Sequence, residues 1–171
     1  AAGAGSLLLL FNGLTASPRW HVDYGREGLQ YGAPQIYAAA EKYALENPQR
    51  SILVWPEWSQ DPEALRRFFV TKASDRVRLG MVDSFLYRAD PAIDQVAFLI
   101  PDSQYQSLKA SGKFDIITAG EIDTPDGSPA FALVELAYTP QAEEIMAQEA
   151  VQRRALVSSL MEINREAVEV D

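Results

Sequence analysis

The chain has no cysteine, a single histidine and no long apolar run. Without cysteine there can be no disulfide, no thiolate metal site and no thiol nucleophile. That absence suits cytoplasm and periplasm alike and leaves the compartment open. The lone imidazole, His21, excludes any centre that needs two. The strongest apolar run, Leu7 to Phe11, falls far short of the ~20 residues that cross a bilayer. It also lacks the basic flank and longer apolar stretch of a secretion signal. AAGAGSLLLLF begins without an initiator Met, so the chain is expected to be a piece of something longer.

Basic residues are scarce too. Fifteen Lys and Arg face 24 Asp and Glu, a net charge of -9. No nucleic-acid partner is expected, because such binding needs a basic patch to neutralise phosphates. The nearest approach to one is Arg66, Arg67, Lys72, Arg76 and Arg78, which acids surround and which reads as a solvated face. The same acidic balance argues against attachment to anionic lipid headgroups. No repeat or low-complexity block stands out, which removes solenoid and disordered classes.

What is present is ordinary globular material. The 171 residues are 47% hydrophobic and 23% charged, enough for one domain with a real core. A breaker-rich loop precedes a helix that starts at Pro34, a residue suited to the first helical position. Ile36, Ala39, Ala40, Tyr43 and Ala44 repeat at helical spacing and predict one buried face, and Asn47-Pro48 stops the helix. Ser51 to Trp55 predicts a buried strand. Asp61-Pro62-Glu63 reads as the cap and first positions of a helix running to about Val70. Val77 to Val82 and Gln95 to Ile100 predict two more strands. Asp102 or Ser103 is expected to cap a helix that Gly112 ends. Asp115 to Ile122 and Ala130 to Tyr138 flank TPDGSP, a hairpin signal through Asp126-Gly127. Gln141 to about Ala167 reads as a long, charged, amphipathic helix, and VEVD as the possible start of a further strand.

The order predicts an α/β fold of three-layer sandwich type, with a mostly parallel sheet and an antiparallel C-terminal hairpin. It divides into a domain over 1–140 and a helix over 141–171, which packs on that domain or links it to another.

Candidate sites follow from this frame. Gly25, Gly28 and Gly32 in DYGREGLQYGAPQIY match neither G-x-G-x-x-G nor a P-loop, and they read as a positive-φ approach to the helix beside Tyr24 and Tyr31. In an open α/β sheet, ligands bind outside the carboxyl ends of the strands. Those ends carry Trp55-Pro56-Glu57-Trp58, Asp83-Ser84 and Pro101-Asp102-Ser103. They offer an indole, Trp58, for a sugar face and three carboxylates, Glu57, Asp83 and Asp102, for hydroxyls. Two carboxylates across a cleft can also run glycoside hydrolysis, for which Glu57 and Asp83 are the pair. Asp102 is equally explained as a helix cap and Trp55 as core. Glu121, Asp123 and Asp126 lack the spacing of a calcium loop, and there is no G-x-S-x-G elbow. No metal, no cofactor and no catalytic set is expected.

DYGREGLQYGAPQIY, W-P-E-W, RRFFV, RVRLGMVDSFL, then VAFLIPDSQY with SGKF, come in an order that resembles a known segment. It is similar to the extracytoplasmic domain following the membrane helices of some bacterial glycosyltransferases, relatives of the dolichyl-phosphate-mannose protein mannosyltransferases. The resemblance covers about Leu7 to Tyr138. Where that family carries Trp-Ala-Asn-Gly after the first strand, this chain has Trp58-Ser59-Gln60-Asp61. In such transferases the catalytic acids lie in a loop among the membrane helices. The resemblance therefore implies an accessory, non-catalytic domain on the extracytoplasmic face of the cell membrane. Its partners would be the membrane-embedded part of the same chain and a glycan or lipid-linked sugar, met by Tyr24, Tyr31 and Trp58. The rival is a stand-alone sugar- or nucleotide-binding α/β domain.

Overall fold

The structure, a computed structural model, describes the backbone of residues 32–124 and 127–168, with side chains up to 159 and at 161. Helix α1, Ala33–Glu46, opens from Gly32, whose φ of 89° lies in the left-handed region that glycine adopts without a Cβ penalty. Pro34 is the second helical residue, and the buried face is Ala33, Ile36, Tyr37, Ala40, Tyr43 and Ala44. Ala39 packs against that core from a partly buried position. The helix ends at Asn47, as the Asn-Pro pair predicts.

Strand β1, Ser51–Val54, is the centre of the parallel half of the sheet. It pairs in parallel with β2, Val77–Leu79, on one side and with β3, Val96–Pro101, on the other. Strands β4, Phe114–Asp123, and β5, Pro129–Tyr138, form the hairpin. Its turn keeps Gly127 at φ 83°, and the Gly127 N–H donates to the Thr124 carbonyl at 2.9 Å. Asp126 lies outside the described residues, as do the N-terminal loop and residues 169–171 of VEVD, whose first residue, Val168, is the last of the C-terminal helix.

The spatial order is β2-β1-β3-β5-β4, with β5 antiparallel to both of its neighbours. A mostly parallel sheet was expected, and the sheet is mixed. The reason is strand length: β4 and β5 have ten residues each, against four, three and six for β1, β2 and β3. Most of the ladder is therefore antiparallel. Strand β2 stops three residues short of its expected end; beyond it the Gly80 N–H still donates to the β1 edge, at the Val54 carbonyl, at 3.1 Å, which holds Gly80 close. A Cβ there would lie 3.0 Å from Leu53 Cδ1.

Alternating residues send apolar groups to both sheet faces. On one face Ile52, Val54, Ala97, Leu99 and Leu133 pack with α1 and with Leu65 and Phe69 of α2, Pro62–Phe69. On the other, Phe98, Ile100, Ala132, Val134 and Leu136 pack with Phe85 of α3, Asp83–Leu86, and Leu108 of α4, Asp102–Ser111. Phe98 and Phe85 meet edge to face at 5.4 Å between ring centres. Each such fully buried large side chain contributes roughly 1.5–3 kcal/mol.

Helix α5, Ala142–Val168, docks by its first turns, where Ala142 and Met146 are buried. Lys113, at the foot of β4, is 3% exposed and sends Nζ 2.7 Å to Glu149 and 3.0 Å to the Leu86 carbonyl. From Val151 onward the described side chains of α5 are exposed.

Candidate functional site

Because β1, β2 and β3 are parallel, their carboxyl ends share one edge of the sheet. The chain leaving β1 passes through a 3-10 turn, Pro56–Trp58, into α2 on one face. The chain leaving β3 runs straight into α4 on the other face. This divergence makes the crevice outside β1 and β3 a topological switch point, where open α/β sheets bind ligands.

Each sequence-derived candidate has a definite place in this frame. Glu57 is exposed on the 3-10 turn. Trp58 is only 4% exposed; its indole packs against Tyr37, ring centres 6.0 Å apart, and edge-on against Phe131 at 5.7 Å. The indole is thus part of the core and presents no free stacking face. Asp83 is the first residue of α3 and half-buried. Asp102 is the first residue of α4 rather than its cap. Pro101 takes the capping position, still paired with Phe131 in the sheet, so the strand passes into the helix without room for a side-chain cap. Asp102 Oδ1 instead accepts from Gln106 Nε2 at 3.1 Å, and its charge complements the helix N-terminus. Asp61 caps α2 as expected, Oδ1 accepting from the Ala64 N–H at 3.0 Å. Tyr24 and Tyr31 lie outside the described residues.

Among the described residues, three buried side-chain polar atoms have no hydrogen-bond partner: Trp58 Nε1, Ser59 Oγ and Asp83 Oδ2. All three belong to segments leaving β1 and β2. Val54 and Leu79 are paired neighbours, and Trp58 and Asp83 each follow their strand's last residue by four. An unsatisfied buried polar group costs about 1–3 kcal/mol, so this edge carries unmet hydrogen-bonding capacity. Ser59 carried no motif in the sequence; only its burial singles it out.

The electrostatics near this edge are set by α2. Glu63 accepts from Arg66 and Arg67, with three contacts at 2.8 Å. These hydrogen bonds, Arg66 first, hold its carboxyl down to about 2. The Tyr37 hydroxyl donates to the Pro62 carbonyl at 2.8 Å, and burial raises it to about 12. Tyr43, on the other side of α1's buried face, donates to Glu135 at 2.6 Å; burial first and that carboxylate second raise it to about 12.

Open clefts of about 240 and 290 Å³ lie beside Arg88; the smaller is lined by Ser84, next to Asp83, and neither is lined by Glu57, Trp58, Asp83 or Asp102. Among the described residues no group of acids and histidine could hold a metal ion, and no helix is long and apolar enough to cross a membrane. Comparison with protein-family models, with curated proteins and with solved structures yields no match.

Proposed function

We propose that this chain is a non-catalytic extracytoplasmic domain of a bacterial membrane glycosyltransferase that uses a lipid-linked sugar. In this reading the sheet with helices on both faces is a three-layer α/β sandwich. Its carboxyl edge meets a glycan or the membrane-embedded part of the same protein. The observation that carries the reading is the set of unpartnered atoms Trp58 Nε1, Ser59 Oγ and Asp83 Oδ2. They fall within or beside the W-P-E-W and RVRLGMVDSFL motifs that resemble that family. Hydrogen bonds left unmade in an isolated domain are supplied when a partner docks. Trp58 enters this reading through its buried indole N–H rather than as a stacking platform, since the ring packs against Tyr37 and edge to face against Phe131.

The test is an antibody against this domain applied to fractionated native cells. A membrane-bound species far heavier than 18.9 kDa, cleaved by protease from outside, is expected. A soluble species near 18.9 kDa would sink the proposal. The switch-point crevice favours a second reading, an independent sugar- or nucleotide-binding domain. That reading predicts tight binding of such a ligand by the chain alone, lost in Asp83→Asn.

A further inference from the structure

Residues 87–90 link α3 to a 3-10 turn, Pro91–Gln95, that leads into β3. This short loop is tied down on several sides. The Tyr138 hydroxyl shares its proton between the carbonyls of Phe85 and Arg88, at 3.1 and 3.3 Å, and accepts from the Asp90 N–H at 3.2 Å. Just before the loop, the Leu86 carbonyl accepts from Lys113 Nζ. From α5, Arg153 lies over the Tyr87 ring, 4.6 Å from its centre. A backbone held at so many points fixes where the Arg88 side chain sets out.

Most charges of this loop and of the first turns of α5 already have partners. Asp90 accepts from the Ala92 N–H at 2.8 Å, and Glu144 accepts from Gln148. Glu149 pairs with both Lys113 and Arg153. Arg88 and Glu143 are left over: among the described residues neither side chain makes a hydrogen bond or an ion pair. Yet the two line one cleft, of about 290 Å³, together with Ala89 and the buried Met146. Arg88 and Ala89 also line the smaller cleft, with Ser84 and Asp90, so the guanidinium stands between two openings. An exposed ion pair gains too little to draw two such side chains together. A ligand that carries both charges can meet each of them where it stands.

We propose that this cleft binds a small zwitterion, with its carboxylate or phosphate on the Arg88 guanidinium and its ammonium on the Glu143 carboxylate. A guanidinium presents paired N–H donors that match two oxygens of a carboxylate or phosphate. A carboxylate offers only acceptors, which suit the three donors of an ammonium. A lone anion would meet Glu143 and Asp90, and a lone cation would meet Arg88, so each single charge is opposed by a like one. Ala89 and Met146 suit the short carbon frame that joins the two charges. Two sources carry this chemistry, a free α-amino acid and the glycerophosphoethanolamine group of a lipid. Tyr138 ends β5, which runs antiparallel to β3, so the cleft lies toward the amino ends of the parallel strands. It is therefore separate from the carboxyl edge and goes beyond the proposed function.

The test is titration of the 171-residue chain with alanine and with glycerophosphoethanolamine, followed by backbone amide NMR shifts. Saturable shifts at residues 87–90 and 143–146 are expected with a Kd of about 1 mM, the affinity that two charge-assisted contacts support at an exposed site. N-acetylalanine, which lacks the ammonium, and alaninamide, which lacks the carboxylate, bind about tenfold more weakly. Arg88→Gln and Glu143→Gln each weaken binding about tenfold as well, and both side chains are exposed, so circular dichroism is unchanged. Arg154→Gln, an exposed cation on α5, leaves binding unchanged. Tighter binding of alanine supports the site as one for a free amino acid, and tighter binding of the phosphodiester supports it as one for a lipid headgroup. No saturable shift from either ligand, equal binding of the single-charge analogues, or indifference to both substitutions would overturn the proposal. Neither the mass nor the fraction of the native species enters this titration, so the two proposals stand or fall separately.

Discussion

The sharpest test of the packing is the Lys113–Glu149 pair, which ties α5 to the sheet. The Lys113 side chain is 4% exposed and Glu149 is 35% exposed, with 2.7 Å between Nζ and Oε2. The two ends are not equivalent. Glu149→Ala leaves a buried ammonium with one carbonyl, Leu86, as its only acceptor. Breaking a fully buried pair from one side costs about 3–5 kcal/mol; partial wetting of Glu149 lowers this to about 2–3 kcal/mol. Lys113→Met removes the charge itself. Glu149 then keeps Arg153 at 3.4 Å and water, while the Leu86 carbonyl loses its donor, a cost of about 1 kcal/mol. For a chain of this size, 1 kcal/mol shifts Tm by about 2–4 °C, so Glu149→Ala should lower it by roughly 4–12 °C. Urea and thermal unfolding of both single variants and the double measure this. Methionine at 113 should also rescue most of the Glu149→Ala loss. If Lys113→Met proves as damaging as Glu149→Ala, the buried-ammonium argument fails.

The remaining predictions concern the edge, the turns and pH. Trp58→Phe removes an unpartnered N–H from the core and should cost under about 1 kcal/mol, whereas Trp58→Ala should cost about 3–5 kcal/mol by denaturation. Equal losses would mean that the indole N–H has a partner. Gly112, at φ 67°, ends α4, so Gly112→Ala should cost about 1 kcal/mol, and a neutral result would remove the left-handed cap. The Glu63 carboxyl, lowered from 4.5 to about 2, stabilises the fold fully above 4.5, and that contribution drains away as pH falls toward 2. A carboxyl NMR titration placing Glu63 near 4.5 would show that the two-arginine clamp is not formed. Tyr37 and Tyr43 are raised from 10.0 to about 12, so their stabilisation is intact below 10 and is lost as pH rises to 12. Burial raises Tyr138 as well, so phenolate absorbance should show Tyr37 and Tyr43 titrating late, together with unfolding, beside an upward-shifted Tyr138; a single transition near 10 in the folded protein would refute this.

Much of the fold was legible because it is written in local patterns. The α1 stripe, the Asp61 cap of α2, the Gly112 stop of α4 and the hairpin glycine all act over a few residues, and the structure keeps each of them. Local pattern misplaced Asp102. A helix cap and a first-turn acid look alike in sequence, and only the pairing of Pro101 with Phe131 separates them. The candidate edge was half legible. Reading the strand ends brought Glu57, Trp58, Asp83 and Asp102 to one end of the sheet, because parallel pairing puts them there.

By itself the sequence determined the strands and the longer helices, their rough bounds, and the classes of chemistry that a chain with no cysteine and one histidine forgoes, but not the short α3 at Asp83–Leu86. Only the tertiary structure decided that β5 rather than β4 lies against β3, since strand order is a long-range choice that no local period encodes. Only it turned Trp58 inward between Tyr37 and Phe131 and left Phe68 outward. Two aromatic residues ten positions apart look equally buriable in sequence, and which of them meets the core depends on the helix and strand packed across from it.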